Sequence, residues 1–182
     1  MRNPVEQLKN EFKGIEEYLL TQSPPQLALA SDLNNHFRKV LIISAGSYFE
    51  HKITILLSNF AREKSNGDER IVNFLIKQAI SQKYHTLFSW GEKDKPESPV
   101  KNANTFFKLF GDEFKTAIEK QVKADDEIDK SIKAFIEIGH LRNILVHSNF
   151  AEYTYEQKTV DEIFALFQTA EPFLDYLSDK LK

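Results

Sequence analysis

From Gln26 to Lys64 the chain carries no proline and a single glycine, Gly46. A stretch of that length without a breaker can form one long α-helix or two nearly collinear ones, and little else fits a compact chain. Between Leu41 and Phe60 apolar side chains point to almost every side of such a helix. That pattern belongs to a helix covered all round by neighbours, so this segment is expected to be the central element of the fold.

The flanking segments read the same way. Val5, Leu8, Phe12, Ile15 and Leu19 recur at spacings of 3 and 4, an amphipathic helix that the Ser23-Pro24-Pro25 turn should end. SNGDE at 65–69 is a turn, and a short helix follows over IVNFLIKQAI. EKDKPESP at 92–99 reads as a solvated loop. Phe107, Phe110, Phe114, Ile118 and Val122 predict another helix, Ile128 begins the next, and a final helix is expected from about Val160 to Leu181, with a kink at Pro172. Six glycines and six prolines in 182 residues leave no room for frequent turns, and no alternating apolar pattern argues for strands. The expected fold is all-α, a single domain over 1–182 with a four-helix core and short additional helices.

Composition narrows the chemistry. Fifteen Phe against one Trp and one Met indicate an aromatic and aliphatic core. With no Cys, thiolate metal sites, disulfides and a cysteine nucleophile are excluded. A net charge of −3 argues against a chain held on nucleic acid by a broad basic face, although a local site of a few residues is compatible with it. The opening MRNPVEQLKNEFKG lacks a basic region followed by a long apolar run, and VLII at 40–43 is far short of a membrane span. The reading is a cytoplasmic protein without membrane association.

One helix carries a charge where its period calls for a hydrophobe. In LRNILVH, residues 141–147, Arg142 continues the stripe Ile128, Ile132, Phe135, Gly139 and Val146, at the centre of the apolar arc. A guanidinium there needs a partner, a wet groove or a second subunit, because an unpaired buried charge costs several kcal/mol or more. The central helix has a matching anomaly: Ile43, Gly46, Glu50, Ile53 and Leu57 form a stripe with a carboxylate in it and a glycine one turn earlier. Close approach at Gly46 and Gly139 would bring Glu50 to Arg142. Asn143 and His147 are i, i+4 neighbours on a more polar flank, with His140 nearby. His147 falls in the last turn, where the helix dipole favours imidazolium while Arg142 opposes it. Imidazole under such opposed influences suits proton exchange near neutrality.

R-N-I-L-V-H at 142–147 resembles the R-x(4–6)-H signature of HEPN domains, which often have a polar residue after the arginine. Together with SYFEHKITILL in the long helix, the HLRNILVHSNF context is most similar to the RiboL-PSP type of HEPN protein. That resemblance implies an HEPN-like helical bundle and a metal-independent endoribonuclease in which two motifs meet at a homodimer interface, with no cofactor and no metal. His147 would be the general acid or base and Arg142 would stabilise charge on the phosphorane. Asn143 would orient the phosphate or the imidazole, and Glu50 would hold Arg142. The partners implied are an RNA substrate, a second copy of the chain, and an antitoxin or neighbouring regulatory protein, in toxin–antitoxin, antiviral or RNA-processing biology. One departure matters: the tyrosine two residues after the histidine, a modification target in some relatives, is here Asn149, so control by adenylylation is not expected. Glu137 and Glu152 offset Arg142 and favour the alternative, a non-catalytic dimerisation or adaptor module.

Overall fold

The computed structural model describes residues 3–80, 84–90 and 101–182. Helix α1 (Pro4–Thr21) begins where the Asn3 side chain accepts the Val5 N–H at 2.9 Å, and Pro4 sits in the first turn, where its missing N–H leaves no bond unmade. The Ser23-Pro24-Pro25 turn follows, and α2 (Leu27–Lys64) is the single long helix expected of the breaker-free stretch. It stops at Asn66 and Gly67, both at positive φ (53° and 76°). The Gly67 N–H bonds the Arg62 carbonyl at 2.9 Å, a left-handed cap that satisfies an end carbonyl.

The short helix expected over 71–80 is α3 (Glu69–Leu75), capped by Asp68 and continued by a π-helical turn, Ile76–Ile80. A four-residue helix, α4 (Tyr84–Leu87), precedes an isolated bridge between Ser89 and Asn102. The loop expected at 92–99 lies outside the described residues. The helix expected across Phe107–Val122 is two helices, α5 (Asn104–Lys108) and α6 (Asp112–Ala124), broken at Gly111 with φ of 105°. The apolar period runs through the break because Phe107, Phe110, Phe114 and Ile118 all pack on the core. Periodicity reports which side chains face inward and not whether the backbone ladder is continuous.

Helix α7 (Asp126–Val146) starts two residues before Ile128, with the Asp125 carboxylate accepting the N–H groups of Glu127 and Ile128. The final helix is likewise divided, into α8 (Val160–Ala170), opened by a reciprocal Thr159–Glu162 capping box, and α9 (Pro172–Lys180). Pro172 ends the ladder because it donates no N–H and its ring displaces the preceding turn. Glu171 keeps helical dihedrals (φ −56°, ψ −42°), so the division is a sharp kink.

The fold is all-α: among the described residues no strand forms beyond the single bridge. Helix α2 is central, flanked by α1, α7 and α8, while α9 closes on α7 and α2. With α8 and α9 counted as one kinked helix, these make the four-helix core, and α3 to α6 are the short additions between α2 and α7. Phe49 of α2 is its hub, with ring centroids 5.3 Å from both Phe135 of α7 and Phe167 of α8. An 18-residue window of α2 has mean hydropathy 1.3, enough by length and composition to cross a membrane. The same window suits the core helix of a bundle, and Leu41, Ile42, Phe49 and Ile53 are fully buried among the other helices.

Candidate functional site

Where α2 and α7 cross, Arg142 Nη2 donates to Glu50 Oε2 at 3.0 Å. The pairing expected from the two interrupted stripes is therefore present. Its seat is Gly46: a Cβ added there would stand 2.8 Å from Arg142 Cγ and 2.9 Å from its Cβ. The aliphatic stem of Arg142 lies on bare α2 backbone, and Glu50, one turn further along, receives the head. The pair is not sealed. Side-chain exposure is 26% for Arg142 and 36% for Glu50, which puts it at a wet edge. The α7 arc is buried at Ser131, Phe135 and Ile138 and opens at Arg142 and Val146.

The second glycine has a different role from the one its spacing implies. Gly139 does not serve the α2 crossing; the nearest atoms to a Cβ built there all belong to Trp90, with Cζ3 at 2.0 Å. The indole, arriving from beyond α4, fills that notch, and its Nε1 donates to the His85 carbonyl at 3.0 Å. A pattern confined to one helix carries no information about an aromatic ring inserted from a distant segment.

His140 also departs from its expected place. It is buried, 9% exposed, rather than on a polar flank beside His147. Burial lowers its pKa, the nearby Lys101 ammonium lowers it further, and Glu137 together with a hydrogen bond to the Trp90 backbone opposes both. Its reason is tertiary: Trp90 packs on α7 at Gly139 and Lys101 pairs with Glu137, on the side of α7 that would otherwise face water.

His147 is the C-cap of α7, exposed, with φ of −100° and ψ of 2° and its N–H on the Asn143 carbonyl at 3.2 Å. The chain beyond it is anchored to α2. Lys39, only 3% exposed, sends its ammonium to the Phe150 carbonyl at 2.7 Å and lies 4.8 Å from the centroid of the Phe150 ring. Arg38 reaches the Tyr155 carbonyl at 3.5 Å. Burial, reinforced by Glu137, pushes the Tyr155 phenol up to about 12. These contacts fix the start of the segment that leaves His147.

Arg142 and Asn143 share a narrow crevice of about 10 Å³ with Gly46, Tyr84, His85 and Trp90. That is room for about one water-sized group. Tyr84 is buried, and burial together with the Glu50 carboxylate holds its phenol far above the ordinary value, with Arg142 opposing. The structure thus gathers Arg142, Asn143 and Glu50 in one place and sets His147 at the helix end, outside the crevice lining. Tyr84, His85 and Trp90 were not singled out from sequence; the aromatic density of YHTLFSW was their signal. Among the described residues no group of three or more His, Asp or Glu is placed to hold a metal ion.

A long central helix, a late helix bearing arginine and histidine at its C-terminal end, and short insertions between them define an HEPN-type helical domain. The chain belongs to the RiboL-PSP-HEPN family, whose model matches residues 6–182. Comparison with curated proteins and with solved structures returned no match.

Proposed function

We propose that the protein is a metal-independent endoribonuclease in which the R-N-x-x-x-H motifs of two protomers face one cleft. The carrying observation is Arg142 held at a wet edge by Glu50 at 3.0 Å on the Gly46 seat, while His147 stands exposed at the end of the same helix. The ion pair holds the guanidinium in place, so it can meet developing phosphorane charge with little reorganisation. His147 is free to move a proton, and its separation from Arg142, about 140° on an ideal helix, suits a site completed across a two-fold axis.

The reaction is an internal transesterification. The 2′-oxygen bonds to phosphorus as the bond from phosphorus to the 5′-oxygen breaks. One proton leaves the 2′-hydroxyl to an imidazole and one arrives at the departing oxygen, leaving a 2′,3′-cyclic phosphate and a 5′-hydroxyl. The requirement for a 2′-hydroxyl makes RNA the substrate. Toxin–antitoxin, antiviral or RNA-processing roles in the cytoplasm fit this chemistry, with an antitoxin or neighbouring protein as restraint.

The test is cleavage of RNA by the wild type, His147→Ala, Arg142→Ala and Glu50→Gln in chelator, with product ends identified. Cyclic ends from the wild type, lost in the first two folded variants and reduced in the third, are expected; equal residual activity in all four would sink the reading. The partial neutralisation of Arg142 by Glu50 favours a second reading, a helical dimerisation or adaptor module, which that last outcome would support.

A further inference from the structure

We infer that His85 is a second imidazole of the Arg142 site, so that one protomer alone presents a guanidinium and an imidazole to a phosphate group. The inference deepens the ribonuclease reading and names the contact that reading leaves open on the Arg142 side of α7. His85 lines the crevice with Arg142 and Asn143, and it is exposed, as is Thr86, while Tyr84, Leu87, Phe88 and Trp90 around them are only 4–8% exposed. The short helix α4 is therefore locked into the core through its aromatic and leucine side chains. The Trp90 indole N–H, 3.0 Å from the His85 carbonyl, fixes the backbone of the histidine itself.

A rigid platform that leaves one imidazole at the mouth of an arginine-lined crevice is a recognition geometry, because little ordering remains to be done when an anion arrives. The chemistry of the lining selects the ligand. Arg142 spends Nη2 on Glu50, but its buried Nε has no partner among the described residues. Asn143 adds an amide, Tyr84 beside the pair stays a neutral phenol, and His85 adds a ring N–H donor. The polar groups these residues bring to a mainly apolar space of about 10 Å³ are chiefly donors, and the space accepts a single oxygen of a phosphate while the rest of the group remains outside. His147, outside this lining, is left for the proton transfers. His85 is assigned to holding the phosphate, and a protomer that binds the anion by itself follows from that assignment.

The probe is inorganic phosphate at constant ionic strength, followed by the imidazole resonances of His85 and the Arg142 Nε–H in the full-length chain. Saturable shifts of both are expected, lost in Arg142→Ala, with His36 and His51 unmoved as internal references. A shift at Arg142 with none at His85, or no shift at either, would overturn the assignment. A second arm uses a 2′-O-methyl oligoribonucleotide, which cannot be cleaved: His85→Asn should weaken its binding about tenfold, the scale of one charge-assisted hydrogen bond, and unchanged affinity would count against His85. Cleavage separates the two proposals. If phosphate moves His85 but wild-type protein leaves RNA intact, the anion site stands and the nuclease reading fails; if RNA is cut and His85 is silent in both arms, the reverse holds.

Discussion

Replacing Gly139 with alanine tests the tightest seat of any glycine among the described residues. Alanine would ordinarily strengthen a helix interior by about 1 kcal/mol over glycine. Here the new methyl would stand 2.0 Å from Trp90 Cζ3 and 2.4 Å from Cε3, well inside any tolerable contact. The neighbour is a planar ring 8% exposed with no flexible end to swing aside. Overpacking of this kind costs about 1–3 kcal/mol, occasionally more. Expelling the ring also forfeits its contacts with Phe88 (5.0 Å), Tyr84 (5.7 Å) and Phe135 (5.9 Å), each aromatic pair contributing about 0.5–1.5 kcal/mol. Set against the helical gain, Gly139→Ala should be less stable by about 2 kcal/mol, which for a chain of this length lowers Tm by about 4–8 °C. Gly14→Ala is the internal control: nothing lies within 4 Å of its Cβ position on the exposed face of α1, so it should gain about 0.5–1 kcal/mol. Urea unfolding gives both values, and since the chain has one tryptophan, its fluorescence maximum reports the ring directly. A Gly139→Ala protein with wild-type emission and a midpoint at or above that of the wild type would refute the reasoning.

The buried His140 imidazole should couple stability to pH. Burial lowers its folded-state pKa below the ordinary 6.5, so the unfolded chain takes up the proton first on acidification. The contribution of the neutral ring is then fully present above about pH 6.5 and is lost as pH falls from there through the folded value. Denaturant midpoints between pH 7.5 and 5 should decline less steeply in His140→Gln than in the wild type; parallel declines would show that the group does not titrate as argued. Lys39→Met should release the segment beyond α7 while leaving α1 intact, because it removes both the 2.7 Å bond to the Phe150 carbonyl and the charge over its ring. Amide exchange within 148–156 should accelerate at least several-fold, and unchanged exchange there would mean the Lys39 contacts do not hold the segment.

The long-range architecture was legible where a segment's own pattern decides its structure. The absence of breakers sets α2, the 3- and 4-residue spacings set α1 and α7, and the two interrupted stripes found Glu50 and Arg142 in separate helices. Residues that share a contact but lie 92 apart were recoverable because each helix declared its anomaly independently: a charge inside an apolar arc demands a partner, and one such charge of opposite sign was on offer. The same logic was silent on α5 and α6, since a break at Gly111 leaves the inward faces in phase, and on the character of the kink at Pro172.

It failed for Gly139 and His140 for a common reason. Both are explained by Trp90, whose segment is too short to show a period and whose docking is a tertiary event. The motif pattern therefore found the partner of Arg142 across α2 but missed the wall on its other side, where Tyr84 and His85 stand. A guanidinium with Glu50 on one hand and an aromatic wall with an exposed imidazole on the other is more restrained than the motif alone implies. On the proposed reading, such restraint serves a group that must meet a charge as it develops.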